Sequence, residues 1–175
     1  ITLNVDGYPT NGSAYFHINE ALINNSDGLN KDFAIVSWVD KGTLGVLFAR
    51  TVLGFVLDSS SGVWSLYVGS ISELFSNNLL TTGKNCIIFK HSTATGKLTI
   101  KVNNIKVFEN NQPDGIYKYA GDVYYFGSLG ASGGINNTYN STLYEHRVYS
   151  RPLTDEEDAL IYQIGVNYNP DTTPP

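Results

Sequence analysis

Methionine is missing from all 175 positions, and cysteine occurs once, as Cys86. A lone cysteine excludes an internal disulfide and a zinc site built from several thiolates. Within "CIIFKH" it reads as a buried strand thiol acting as a small hydrophobe. Because Ile1 is not a translation start, the sequence is expected to be a processed product or a domain cut from a longer protein. Charge is also scarce. Charged residues make up 15% of the chain, and 11 Lys and Arg stand against 16 Asp and Glu, for a net charge of -5. A footprint on nucleic acid needs clustered basic residues, and here they are scattered along the sequence, so no nucleic-acid partner is expected. No apolar run approaches the roughly 18 residues needed to span a bilayer, so no membrane insertion is expected. Four N-x-S/T sequons begin at Asn11, Asn24, Asn136 and Asn140. About three would arise by chance in so Asn-rich a chain, so they say little about secretion.

What is abundant points to sheet. Hydrophobic residues reach 42%, enough for one core, and 13% of the chain is aromatic with Tyr dominant. Runs rich in β-branched and aromatic residues recur as "SAYFHI", "FAIVSWV", "TLGVLFA", "LGFVL", "GVWSLYV", "CIIFKH", "KLTIKV", "IKVFE", "VYYFG" and "TLYEHRVYS". Connectors such as "DKGT", "DSSSG" and "NNQPDG" carry the Gly, Asn, Asp and Pro of tight turns. "FAIVSWV" and "TLGVLFA" are apolar almost throughout and predict central strands. In "KLTIKVNNIKVFE" the alternation of Leu98, Ile100 and Val102 with Thr99 and Lys101 predicts a hairpin, turning at Asn103-Asn104, with one buried and one wet face. One late stretch, "VYSRPLTDEEDALIYQ", predicts a helix over about residues 154–163. Thr154 is its N-cap, Glu157 completes a capping box, and Asp155 and Glu156 sit at the positive end of the dipole, with Leu160 and Ile161 as an apolar side. The expected architecture is an all-β antiparallel two-sheet jelly-roll sandwich with one short C-terminal helix, spanning residues 1–165 and followed by a Pro/Thr/Asn-rich linker or tail at 166–175.

Three ordered stretches resemble the LamG-like jelly-roll domains of the concanavalin A-like lectin/glucanase superfamily. "GSAYFHINEALIN" with "FAIVSWVDK" is similar to the opening strand and the Trp-bearing third strand. "CIIFKHSTATGKLTIKVNNIKVFE" resembles the hairpin with a vNG-type turn, Asn104 standing where Gly is usual. "YYFGS" and "YNSTLYEHRVYSRPLTDEEDALIYQ" resemble the closing strand and helix. The match spans roughly residues 12 to 163. Tyr144 occupies the family's usual acidic position, Ser141 replaces Gly, and His146 replaces a Val-like residue. The resemblance allows a structural calcium ion, but no set of oxygen ligands is assignable to it here.

Catalytic patterns fail on inspection. Glucanase members carry period-two acids, because hydrolysis needs two carboxylates facing one groove. Here Glu145 stands without an acid two residues away, and the acids of "DEED" already have a role at a helix start. "GASGG" matches the G-x-S-x-G elbow around Ser132, but "INNTYNSTLY" after it has no helical period. His17, His91 and His146 form no ligand pattern, and His146 takes a core position where its ring N–H would need a partner. No catalytic residue is therefore expected. Sugar sites join amides with aromatic faces, and the loop from Gly127 to Asn140 holds Asn136, Asn137, Tyr139 and Asn140. Tyr67 and Tyr125 are further candidates, since Trp64, Leu66 and Val68, and Tyr124 and Phe126, fit the buried register of their strands better. The expected function is a non-catalytic carbohydrate-binding or adhesion module. It would recognise a glycan as part of a larger secreted, cell-surface or virion receptor-binding protein and meet neighbouring domains through the linker. A protein-contacting spacer is the alternative, and a glycoside hydrolase a more distant one.

Overall fold

A computed structural model describes residues 2–11, 16–18, 29–30, 32–41, 45–50, 55–60, 63–68, 71–76, 79–111, 116–117, 124–126, 129–131, 134–136 and 140–165, with side chains described for 32–41, 79–111 and 142–165. The chain is all-β and antiparallel with a single helix among the described residues. The first six-stranded sheet contains β1 (Thr2–Asn11), β4 (Phe33–Asp40), β9 (Lys84–Ser92), β10 (Lys97–Val102), β11 (Ile105–Asn111) and β16 (Asn140–Tyr149). Their order across the sheet is β1-β16-β4-β9-β10-β11. The second contains β2 (Phe16–Ile18), β5 (Gly45–Arg50), β6 (Phe55–Ser60), β7 (Val63–Val68), β8 (Ile71–Ser76) and β13 (Tyr124–Phe126), in the order β2-β13-β5-β6-β7-β8. Two short ladders pair β3 (Leu29–Asn30) with β12 (Ile116–Tyr117), and β14 (Leu129–Ala131) with β15 (Gly134–Asn136).

The expected central strands lie inside their sheets: β4 between β16 and β9, and β5 between β13 and β6. Side-chain alternation along β4 divides the core in two. Ala34, Val36 and Trp38 pack with Cys86, Ile88, Tyr149, Leu153 and Ile161 on the face that carries the helix. Phe33 and Ile35 point the other way, in register with His91 and Phe89, and they are fully buried too. Both faces of this strand are therefore covered, which explains why its sequence reads as one continuous apolar run. Full burial of each large apolar side chain contributes about 1.5–3 kcal/mol.

Sequence reading did not pick out β1, an edge strand. "TLNVDGYPTN" holds Gly7 and Pro9, which a central strand would not tolerate, and its pairing with β16 shifts register between Asn4 and Tyr8. The β10–β11 turn matches expectation. Asn103 and Asn104 have φ of 50° and 63°, the paired left-handed conformation of a two-residue hairpin. Asn103 also ties the turn to β9, accepting a bond from the Cys86 backbone N–H at 3.0 Å and donating to Asn85 Oδ1 at 2.8 Å. Asn85 is buried with its amide satisfied by Thr81 O and Gly83 O at 2.8 and 2.7 Å.

The helix α1 (Asp155–Ile164) begins as predicted. Thr154 Oγ1 accepts from the Glu157 N–H at 3.2 Å, and Glu157 Oε2 accepts from the Thr154 N–H at 2.8 Å. Its packing differs in two respects. Ile161 is buried, but Leu160 is 39% exposed, so the apolar side is narrower than expected. The face of β10 expected to be wet is largely covered, because Thr99 and Lys101 are buried where the helix docks. Lys101 Nζ lies 2.6 Å from Asp155 and 2.7 Å from Asp158, and Lys90 Nζ lies 3.2 and 2.6 Å from the same two carboxylates. The acids at the helix start thus have basic partners more than fifty residues away. A nearer partner, Arg151, which the sequence reading passed over, grips Glu157 with two bonds of 2.8 Å.

Three outcomes follow for stability. Thr154→Ala should cost on the order of 1 kcal/mol in denaturant unfolding through loss of the cap. Asn104→Ala should cost about 1–2 kcal/mol, whereas Asn104→Gly should cost nothing, because only glycine adopts this φ without penalty. Hydrogen bonds from Lys101 and then Lys90 hold the Asp155 carboxyl down to about 2. A carboxyl whose pKa is depressed on folding stabilises the fold above its unfolded value of about 3.9, and the contribution is lost as pH falls through the folded value. The melting temperature should therefore fall between pH 4 and pH 2 less steeply in Asp155→Asn than in the native chain. Identical slopes would contradict the assignment.

Candidate functional site

Of the described residues expected to bind sugar, Tyr67 and Tyr125 lie in the second sheet, Asn136 in the short β14–β15 ladder and Asn140 at the start of β16 in the first sheet. The stretch from Gly127 to Asn140 is not an unbroken loop. β14 and β15 form a small hairpin inside it, with Leu129 opposite Asn136 and Ala131 opposite Gly134. Segments of three residues with Gly130 and Gly134 carry too few β-branched residues to announce themselves as strands. A strand, β15, follows the G-x-S-x-G match where a nucleophile elbow would require a helix. Asn136 ends β15 and Asn140 begins β16, opposite Asn11. Asn137, Tyr139 and Ser132 lie outside the described residues. Tyr67 pairs with Val56 and Ser72, and Tyr125 pairs with His17 and Ala49. The backbone thus puts each of them one strand from an edge of the second sheet, Tyr125 beside β2 and Tyr67 beside β8.

The first sheet carries a groove of about 500 Å³ between the β10–β11 hairpin and the entry to the helix. The ladder dictates its composition. β10 presents Lys97, Thr99 and Lys101 on one face, in register with Ser92, Lys90 and Ile88 of β9. β11 adds Lys106 opposite Lys101, and Glu109 opposite Thr99. Residues scattered along the sequence thereby converge, so that Lys90, Lys97, Lys101 and Lys106 all line one groove. Pro152, Leu153 and Thr154 form its other wall. Lys90 also donates to the Leu153 carbonyl at 2.9 Å, which fixes that wall against the sheet.

Both carboxylates that line the groove are held by lysines. Glu109 lies 2.8 Å from Lys106 and 3.5 Å from Lys97, and the Lys106 hydrogen bond pulls its carboxyl below the ordinary glutamate range. Asp155 is held down in the same way from Lys101 and Lys90. Each is kept ionised near neutral pH. Glu145 lies outside the groove, sealed in the core and paired with Arg147. Burial raises its carboxyl against the pull of that guanidinium.

Other singled-out residues have structural partners. His146 is buried with Nδ1 2.9 Å from Ser37 Oγ, the partner its core position required, and burial drives the imidazole down to about 3, so it stays neutral. Cys86 is buried with its thiol pushed up by desolvation, which leaves it inert. Tyr144 donates its hydroxyl to Asp40 Oδ2 at 2.9 Å while Lys84 Nζ sits 4.4 Å from its ring centroid. No cluster of three or more His, Cys, Asp or Glu able to hold a metal occurs among the described residues, and no helix there is long and apolar enough to cross a membrane.

No family model matches this chain, and no curated protein matches it. Solved structures do. The chain is similar to NanB, solved with Optactamide, with a TM-score of 0.61 and 18% identity over 90% of its length, spanning 27% of that chain. It is similar to the heptameric SAP-like pentraxin of Limulus polyphemus, with a TM-score of 0.59 and 14% identity over 75% of its length, spanning 70% of that chain. It is also similar to the binding domain of botulinum neurotoxin DC in complex with SialylT, with a TM-score of 0.55 and 11% identity over 77% of its length, spanning 35% of that chain. At these identities the likeness is one of fold, an antiparallel jelly roll.

Proposed function

We propose that this chain is a non-catalytic carbohydrate-binding module of LamG-like type, acting outside the cell or on a cell or virion surface as one domain of a larger protein. The observation that carries the proposal is the likeness in fold to a jelly-roll binding domain solved with SialylT. Glycoside hydrolysis needs one carboxyl held protonated as general acid, its pKa raised by its surroundings. Glu109 and Asp155, the two carboxylates among the groove's described lining residues, are both pulled the other way by lysines, so neither is held as a general acid. The jelly-roll neighbour solved with SialylT supports the reading that this fold can present a sugar site. In this reading Asn136, Asn137 and Asn140 supply paired donors and acceptors at the rim, Tyr139 supplies a stacking face, and residues 166–175 lead to a neighbouring domain. Tyr67 and Tyr125 are the second choice for the stacking face. A protein-contacting spacer is the alternative, supported by the same toxin binding domain solved with rat synaptotagmin II.

The test is a glycan array followed by titration of any hit. Shallow polar sites bind with roughly micromolar to millimolar affinity, since each hydrogen bond nets about 0.5–1.5 kcal/mol. Tyr139→Ala should weaken binding by about 1–2 kcal/mol through lost stacking while the fold persists. Unchanged binding in Tyr139→Ala, with loss in Tyr67→Ala or Tyr125→Ala, would move the site to the second sheet. Hydrolysis of laminarin or xylan by the purified chain would overturn the non-catalytic reading, and binding to no glycan would favour the spacer.

A further inference from the structure

We propose that the groove on the β9–β10–β11 face takes an anionic oligosaccharide, one bearing sulfate or carboxylate groups, through Lys97 and Lys106. The inference rests on the glycan-binding reading above and narrows it to a ligand chemistry, at a place on the fold separate from the rim hairpin.

The chain has a net charge of -5, yet four of its 11 basic residues line this one groove. The four are not equivalent. Lys90 and Lys101 are only 12% and 11% exposed, and two carboxylates, Asp155 and Asp158, neutralise them in the docking of the helix. Lys97 and Lys106 are 38% and 53% exposed and share a single carboxylate, Glu109. Two ammonium groups on one glutamate leave a positive charge without a partner. Exposed pairs of this kind are weak, so a ligand anion can displace Glu109 from either lysine.

The rest of the lining selects among anions. Ser92, Thr95, Thr99, Thr154 and Asn104 add short hydroxyl and amide groups, and no aromatic ring is among its described lining residues. A neutral sugar held by stacking finds no platform among these described residues. A sugar that brings its own negative charge gains charge-assisted bonds from the lysines, and its hydroxyls meet the Ser and Thr side chains. An acidic peptide or a nucleic acid would match the charge but leave this hydroxyl lining with fewer complementary groups, and a nucleic acid would also lack a stacking surface.

Isothermal titration of the whole chain with a dextran sulfate oligosaccharide, and with unsulfated dextran of equal length, tests the proposal. The sulfated ligand should bind with an affinity that falls as salt rises, and the unsulfated one should not bind detectably. The double variant Lys97→Ala/Lys106→Ala should bind roughly tenfold more weakly, from two lost exposed charge contacts. Lys84→Ala, outside the groove, should bind as the native chain does, and Lys97→Arg/Lys106→Arg should retain binding. Equal melting temperatures across these variants separate lost charge from lost fold. Undiminished binding by the double alanine variant would overturn the proposal. Equal or tighter binding of polyglutamate or single-stranded DNA of matched charge would overturn it as well. If arrayed neutral glycans bind the native chain and the double variant alike while dextran sulfate does not bind, the module reading stands and the groove inference falls. If no glycan of any kind binds, both fall.

Discussion

The helix is held to the first sheet by one partly buried cluster of charge, Lys90 and Lys101 against Asp155 and Asp158, and the shape of the groove depends on it. Asp158 is sealed from solvent and would be costly there without its two lysines. Such a network is poor evidence for net stability, because desolvating four charges opposes their attraction, but removing one member leaves a buried charge uncompensated. It therefore acts chiefly on placement. Ile161 and Leu153 supply the apolar contact with Trp38 and Ile88, while the ion pairs and the bond from Lys90 to the Leu153 carbonyl set where the helix entry sits over β9 and β10. The wall formed by Pro152, Leu153 and Thr154 follows from that placement.

Much of the fold was legible because it is encoded locally. Alternation in "KLTIKV", the two asparagines at the turn and the capping box at Thr154 each state a conformation within a few residues, and the structure has each of them. The edge strand β1 was not legible, since Gly7 and Pro9 break its pattern and it is recognisable only through its pairing with β16. The β14–β15 hairpin escaped for a related reason: three-residue strands hold no period. Leu160 reads as apolar, but whether a side of a helix is buried depends on what it faces, and Leu160 faces largely outward.

The groove was only half legible. Lys97, Thr99 and Lys101 alternate on one side of a predicted strand, which already places them on one face. The two-residue turn at Asn103-Asn104 sets Lys106 opposite Lys101, but joining Lys90 to them requires the register of β9 against β10, which sequence alone does not set across the longer connection. The same pairing explains why an acidic chain whose basic residues look scattered can gather a cationic surface. It also explains why its acids are silent. Glu109, Asp155 and Glu157 each meet a basic partner that lowers the carboxyl, whereas Glu145, raised by burial, lies in the core away from this groove.

A residue-resolved map of ligand contact tests this account most directly. In amide ¹⁵N–¹H spectra of the chain titrated with a sulfated oligosaccharide, the account predicts shifts concentrated at residues 95–106 and 152–155, on both walls of the groove. Shifts confined to the β14–β15 hairpin and the start of β16, with residues 95–106 and 152–155 unmoved, would contradict it.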